Sequence, residues 1–592
     1  MIKTSDYIIK FLRRRGVRNA FMISGGGAMH LNDSFGSGAV KYLCNHNEQA
    51  SAIAAEGYAR LNQDLAVVCV TTGPGGLNCL NGVFGQWTDS APVLYISGQV
   101  KFSTTMASCP QIPLRQLGDQ ETDIVSVVKP LTKYAAMVGN PREIKYHLEK
   151  ALYLAMTGRK GPVWLDIPLS VQAALIDERG LKSFKAPAPQ QYNLKIKEVK
   201  AALQKSERPL IVAGHGIRLA GARAEFEELT RKLRLPAVTT FNGFDLLPDS
   251  SPFFGGRIGT VGQRAGNFAL QNADVILFLG TRNNIRQISY NWENFSKNAK
   301  KIIVDIDSAE LKKPTLKPDI AVRADLKDFL KALNAAAPVL NAAGWLAWCR
   351  QRVKKYPPLR EFEIKPAAPV NPYYFARALT ESLPKNAVAV ASNATACLAL
   401  FQAGVVKSRA QRMFFNSGAA SMGYGLPAAI GACIAAGGRQ VICLEGDGSI
   451  MMNLQELQTI KHNNLPVKIF IINNNGYISI KQTQRNFFGR FAACGADSGV
   501  SMPDFAAVAR AFGLPAFKIR ANKDVKKTVK KLLARKGPLV CEVITEEDYI
   551  FKPKLSARKL PDGSMVSPSL EDMYPFLSKK ELEENMICRK EK

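Results

Sequence analysis

At 592 residues, with 46% hydrophobic and 22% charged residues, the chain has globular composition and is long enough for about three or four domains. No run approaches the ~20 uninterrupted apolar residues of a membrane span, and no membrane partner is expected. The formal charge of +30 comes from lysines and arginines spread along the chain, without interleaved aromatics or a basic tail. It reads as a solvated basic surface that attracts anionic substrates and cofactors, not as a nucleic-acid binder.

The opening "MIKTSDYIIKFLRRRG" has no apolar h-region or small-residue cleavage site and reads as an amphipathic helix, not a signal peptide. Short apolar runs then alternate with helical patterns: "NAFMI" (19–23), "VKYLC" (40–44), "LAVVCVT" (65–71), "APVLYIS" (91–97) and a last strand "VWLDIP" (163–168). This β-α-β order predicts a doubly wound parallel sheet over 1–184. "KAPAPQQYN" is a linker, and a second α/β domain over 194–345 carries "PLIVAG", "DVILFLG" and "KKIIVDID". After another Pro-rich stretch, a third over 371–550 has strands at "AVAVAS", "RMFFNS", "QVICLEG", "VKIFIIN" and "PLVCEVI", and 551–592 is a charged arm packed over the body. The fold class is therefore α/β, three doubly wound domains, the first and third alike in rhythm. The eleven cysteines show no C-x-x-C and no zinc spacing, and Cys69, Cys433 and Cys443 lie in apolar runs; reduced thiols and a cytoplasmic location are expected.

The most informative stretch is "EGDGSIMMN" (445–453), followed by "IINNNGY" (471–477). "QVICL" is a strand stopped by "EGDG", "SIMMNLQELQTIKH" reads as one helix with Met451, Leu454 and Leu457 at spacing three, and "VKIFII" is the next strand. Asp447 and the asparagine cluster thus fall at the carboxyl ends of strands in one β-α-β unit, where open α/β sheets bind ligands. A phosphate-bound Mg²⁺ suits them: Asp447 supplies a charged oxygen, an Asn side chain a neutral one and a backbone carbonyl a third. Gly446 and Gly448 let the chain approach phosphates, and Ser449 opens a helix whose N–H groups face the anion. Taken alone, Gly-Asp-Gly is a turn; the strand–helix–strand context favours the ligand.

With these motifs the chain resembles the thiamine-diphosphate enzymes, in the acetolactate synthase large-subunit-like branch. By position, the resemblance implies Mg²⁺ ligands at Asp447, Asn474 and the carbonyl of Gly476, where the branch usually has a residue with a side chain. Asn393 and Thr395 are implied as further cofactor contacts, and Met422 in "NSGAASMGYGLPAAIGA" as the apolar residue that bends the cofactor. "NHNEQASAIAAEGYARL" looks like the segment whose glutamate activates the cofactor. This makes Glu48 the catalytic residue, expected to be buried by the apolar helix face, with an elevated pKa. "TTGPGGLN" and "VDIDSAEL" resemble further family segments. The domains become pyrimidine-binding, central and diphosphate-binding. A homodimer at least is implied, because Glu48 acts on a cofactor held by another subunit. "LGTRNNIRQ" lies where the branch contacts FAD, with Asn283 and Asn284 replacing an acidic pair. Either FAD binds near Gly280, Arg282 and Asp305, or the central domain is structural.

The implied reaction is decarboxylation of a 2-oxo acid, pyruvate above all, and attack of the two-carbon unit on a second carbonyl. Asp119, before Gln120, and Thr483 stand where the branch usually has aromatic residues, which makes room for a larger acceptor. The "SGGGAMHLNDSFG" segment around Gly26 resembles a subgroup acting on nucleotide-activated keto-sugars. Acetolactate synthase-type joining of two pyruvates and two-carbon transfer to a keto-sugar both stand. A non-catalytic assembly or regulatory protein is disfavoured by Glu48, Asp447 and Asn474 occurring together.

Overall fold

In the computed structural model, residues 1–559 and 562–587 are described; of the expected C-terminal arm over 551–592, residues 560–561 and 588–592 lie outside the described residues. Three six-stranded sheets follow one another along the chain, every strand parallel to its neighbours. Their central strands, such as Ala66–Val70, Val275–Leu279 and Val467–Asn473, are near-continuous apolar runs because helices cover both faces.

The first sheet runs Lys41–Cys44, Asn19–Met22, Ala66–Val70, Val93–Gln99, Val163–Pro168, Ala135–Met137. Numbered by sequence within the sheet, the order is 2-1-3-4-6-5. The third sheet repeats it: Arg412–Phe414, Val388–Ala391, Val441–Gly446, Val467–Asn473, Leu539–Ile544, Ala516–Ile519. The shared rhythm of the two segments is thus a shared topology. The central sheet, Phe254–Arg257, Ala237–Thr239, Pro209–Ala213, Val275–Leu279, Lys300–Asp305, Ile320–Arg323, has order 3-2-1-4-5-6, that of dinucleotide-binding folds. Within these three sheets, five of the described strands were not anticipated: Ala135–Met137, Ala237–Thr239, Phe254–Arg257, Ile320–Arg323 and Ala516–Ile519. Each is only three or four residues long, too short to show a period.

Two buried helices join the first and third domains. Glu48–Asn62 and Gly425–Ala435 cross at small residues. A Cβ on Gly57 would lie 2.1 Å from the Ala428 carbonyl oxygen, and one on Gly431 would lie 1.8 Å from that of Ala54. The central domain is tied to the third through buried Asp245, which takes Arg218 at 2.9 Å and Arg412 at 2.7 Å. Residues beyond 551 contact the central domain: Gln271 donates to Glu571 at 2.7 Å, and Asn272 to the Asn585 carbonyl at 2.8 Å. Among the described residues no helix is long and apolar enough to cross a membrane.

Candidate functional site

In the third sheet, the first and third strands in sequence are neighbours from which the chain winds in opposite directions. Ligands bind at such a switch point, beyond the carboxyl ends of the strands. Asn393 and Thr395 follow the strand Val388–Ala391, and Asp447 follows Val441–Gly446. The neighbouring strand Val467–Asn473 delivers Asn474 to the same place. Asp447 Oδ2 accepts from the backbone N–H groups of Asn474 and Gly476, both at 3.0 Å, while its Oδ1 accepts from Gly448 N–H at 2.7 Å. The Asn474 side-chain amide donates to the Gly476 carbonyl at 2.6 Å. The sequence-predicted trio Asp447, Asn474 and Gly476 is therefore one cluster.

The backbone explains the composition of "NNNG". Asn475 has φ +56° and Gly476 φ +144°, a tight turn in which the Gly476 N–H faces Asp447 and its carbonyl faces the Asn474 side chain. A Cβ on Gly476 would lie 2.4 Å from the Cys494 carbonyl oxygen, which accounts for glycine at that position. Burial pushes the Asp447 carboxyl up to about 6, against the pull of the N–H groups of Gly476, Gly448 and Asn474. One carboxylate, one side-chain amide oxygen and one carbonyl form the donor set that a hard cation takes alongside phosphate oxygens, so Mg²⁺ fits. The surroundings of Gly446 are open, with nothing nearer to an added Cβ than Ser449 at 4.0 Å, whereas a Cβ on Gly448 would meet Tyr477 at 2.2 Å.

Two expectations here need correction. The segment 449–462 is not one helix: a single turn, Asp447–Ile450, is followed by irregular chain and then by the helix Glu456–His462. Ser449 does not open the turn, which begins at Asp447 behind Gly446, and Met451 is exposed while Leu457 is buried. The apolar spacing of three was coincidental. Ser449 Oγ instead accepts the Gly423 N–H at 2.9 Å, beside Met422. Gly423 is also held through its carbonyl by Asn453 Nδ2 at 2.8 Å. Asn393 Nδ2 donates to the Ser421 carbonyl, and Thr395 Oγ1 meets the Tyr549 hydroxyl. Met422 is thus held by residues from both sides of the switch point.

The first domain gathers a second group. Glu48 is the first residue of its helix behind the Asn47 cap. The apolar face does not bury its carboxylate, as the sequence had suggested; Glu48 is half-buried, and its Oε2 accepts from Asn78 Nδ2 at 3.0 Å. The helix buries its later turns against Gly425–Ala435, while its first turn projects past that contact. Gly26 is exposed on the turn Gly26–Ala28, where an added Cβ would touch nothing within 4 Å, and its neighbour Gly27 packs on Thr72. Gly73 packs on the Gln120 carbonyl, which brings exposed Asp119 and Gln120 beside the glycine loop. Thr483 lies apart from these, exposed on the helix Ile478–Phe487 that follows the Asp447–Asn474–Gly476 cluster. Sequence reasoning missed Asn78, although it lies within the quoted "TTGPGGLN". It also missed Glu121, whose carboxylate takes Leu117 N–H at 2.9 Å and Gly118 N–H at 3.1 Å and so organises this loop.

The central sheet has its own switch point, and a cavity of about 260 Å³ opens there. Gly280, Arg282 and Asp305 all line it, with His215, Arg159 and Asp89. Arg159 of the first domain reaches Asp307 at 3.0 Å and Glu310 at 2.7 Å, and Arg282 donates to the Thr88 carbonyl at 2.9 Å. Among the described residues His215 Nδ1 is buried without a partner, and burial together with Arg412 and Arg60 holds its pKa well below the ordinary imidazole value. Asn283 and Asn284 bond locally, Asn283 to Thr281 and Gln287, and Asn284 as the cap of the next turn.

The chain matches family models described as thiamine pyrophosphate enzyme, N-terminal TPP binding domain, over residues 2–126, central domain over 196–333, and C-terminal TPP binding domain over 394–543. It is 31% identical over 557 residues to the acetolactate synthase isozyme 1 large subunit of Escherichia coli (strain K12), covering 92% of this chain and 95% of that protein. A probable acetolactate synthase large subunit of Methanocaldococcus jannaschii is 31% identical over 567 residues, 92% of each chain. The acetolactate synthase large subunit of Cyanidium caldarium is 30% identical over 570 residues, 93% of this chain and 94% of that one. With three matched domains in order and relatives spanning nearly the whole chain, this protein belongs to the thiamine pyrophosphate enzymes, and it is a thiamine-pyrophosphate-dependent enzyme.

Proposed function

We propose that the protein decarboxylates a 2-oxo acid, pyruvate, and joins the two-carbon unit to a second carbonyl compound, with thiamine diphosphate and Mg²⁺. The observation that carries this reading is the convergence of Asp447, Asn474 and the Gly476 carbonyl at the switch point of the third sheet. These groups would hold Mg²⁺, and through it a diphosphate, while Gly446 keeps the approach clear. Thiamine diphosphate, when bound, supplies the carbanion chemistry. Glu48 would hold a proton against the aminopyrimidine ring, with Asn78 fixing the carboxylate's orientation. Met422, clamped through Gly423, would form the apolar wall beside the cofactor.

A homodimer at least fits this reading. Leu77 and Phe84 near Glu48, and Met451, Met452 and Ile480 near the metal cluster, are exposed apolar side chains that a second copy would cover. The central cavity would hold FAD at Gly280, Arg282 and Asp305, with the partnerless His215 nitrogen available to the ligand. At 260 Å³ it encloses part of such a dinucleotide. A second reading, transfer to a nucleotide-activated keto-sugar, is favoured by the bare turn at Gly26 and the short, exposed Thr483.

Product analysis with pyruvate alone, then with pyruvate plus keto-sugars, tests the proposal. Acetolactate from pyruvate alone establishes the first reading and sinks the second. Consumption of pyruvate only with the sugar does the reverse, and no thiamine-dependent decarboxylation in either mixture rejects both.

A further inference from the structure

The ten residues from Asp447 to Glu456 touch three separate parts of the site. Asp447 holds the Asn474–Gly476 turn, and Asn453 holds Gly423 beside Met422. Glu456 reaches into the first domain. Its side chain is fully buried; Oε2 accepts from Asn45 Nδ2 at 2.7 Å and from Thr459 Oγ1 at 2.7 Å, and Oε1 accepts the His46 N–H at 2.9 Å. Asn45 in turn accepts from buried Ser51 on the third residue past Glu48, at 3.2 Å. The turn leading into Glu48 is therefore gripped on both sides, and one grip comes from the domain that carries the metal cluster.

The broken helix follows from this arrangement. Were 449–462 one continuous helix, Asn453 and Glu456 would lie three apart on a single face. Breaking it frees Asn453 to face Gly423 while Glu456 faces Asn45 and His46. A buried carboxylate that accepts three hydrogen bonds from fixed donors is a rigid anchor, and burial without them would be costly.

We propose that Glu456 is a positioning residue for Glu48: it fixes the Asn45–His46 turn so that the first turn of the Glu48–Asn62 helix presents the carboxylate in its working orientation. The inference rests on the assignment of Glu48 given above. Because Glu456 and the metal cluster share one chain, the diphosphate-holding segment of each subunit also sets the angle of that subunit's own Glu48.

The test uses the full-length protein and the variants E456A and E456Q. In the cofactor-free protein, amide hydrogen exchange of the peptide spanning 44–50 should rise at least about tenfold in E456A and less in E456Q. The core strand at 66–70 should be unchanged. With thiamine diphosphate and Mg²⁺ added, cofactor affinity should stay within about twofold, while the rate of deuterium exchange at the thiazolium C2 position falls about ten- to a hundredfold in E456A, with partial rescue in E456Q. Unaltered C2 exchange in E456A at retained affinity would overturn the inference while leaving Glu48 in place. Absence of C2 exchange in the unsubstituted protein would overturn the Glu48 assignment and this inference with it. Should E456A fail to fold, N45A removes one arm of the same grip and carries the same expectations, with a smaller loss.

Discussion

Asp447 is the residue on which the site's electrostatics turn. Its burial raises the carboxyl to about 6, so a proton competes with a cation there below that pH. Mg²⁺-dependent cofactor retention should hold above pH 7 and fall by about a factor of ten per pH unit below 6, measured by titrating cofactor at fixed Mg²⁺. A flat profile from pH 7 to 5 would mean that another group holds the metal. Asp447→Ala should abolish the Mg²⁺ dependence altogether. At Glu48, the Gln variant should bind cofactor as before and lose decarboxylation; undiminished turnover would remove its catalytic role. Gly476→Ala forces a side chain into a positive-φ position and against the Cys494 carbonyl, at a cost of about 1–3 kcal/mol. Cofactor retention should weaken accordingly, read in the same titration. At this scale much was legible. Asp447 was readable from its β-α-β unit, and Asn474 and Gly476 from their positions in the motif that the chain shares with its family. Glu456 could not, because its partners Asn45 and His46 are some four hundred residues distant in the chain.

Among elements, the crossing of Glu48–Asn62 with Gly425–Ala435 governs how the first and third domains meet. Gly431→Ala would place a methyl group against backbone at Ala54, which a flexible side chain cannot relieve. A loss of about 1–3 kcal/mol is expected, seen as a lower midpoint in denaturant; an unchanged midpoint would show that the helices separate easily. The first helix was readable as apolar, but its contact with the second was not, since small residues serve equally in a core and at a crossing. The same limit applies to the misread 449–462 segment: helical spacing was present, yet Ser449 and Asn453 turn to Gly423 while Glu456 turns to the first domain. It also explains Glu48, whose helix is buried from Ala50 to Arg60 but not at the turn that carries it.

For the whole molecule, buried Asp245 is the principal ionic link between central and third domains. Burial alone would raise its pKa, but Arg218 and Arg412 hold it well below the usual carboxylate range. The stability it contributes is therefore present above the unfolded value near 3.9 and is lost as pH falls below it. Asp245→Asn leaves two buried guanidinium groups uncompensated and should destabilise the protein by about 3–5 kcal/mol at pH 7, the deficit shrinking in acid. A pH-independent deficit would show that packing, not charge, is lost. The sequence by itself determined the three α/β units, their order and the cofactor motif, because apolar runs and glycine turns are local signals. Tertiary structure alone decided the strand orders, 3-2-1-4-5-6 in the central sheet and 2-1-3-4-6-5 in the first and third. It alone also decided that one ten-residue segment holds the Asn474–Gly476 turn, Gly423 beside Met422 and the approach to Glu48, because those contacts join residues that only folding brings within hydrogen-bond range.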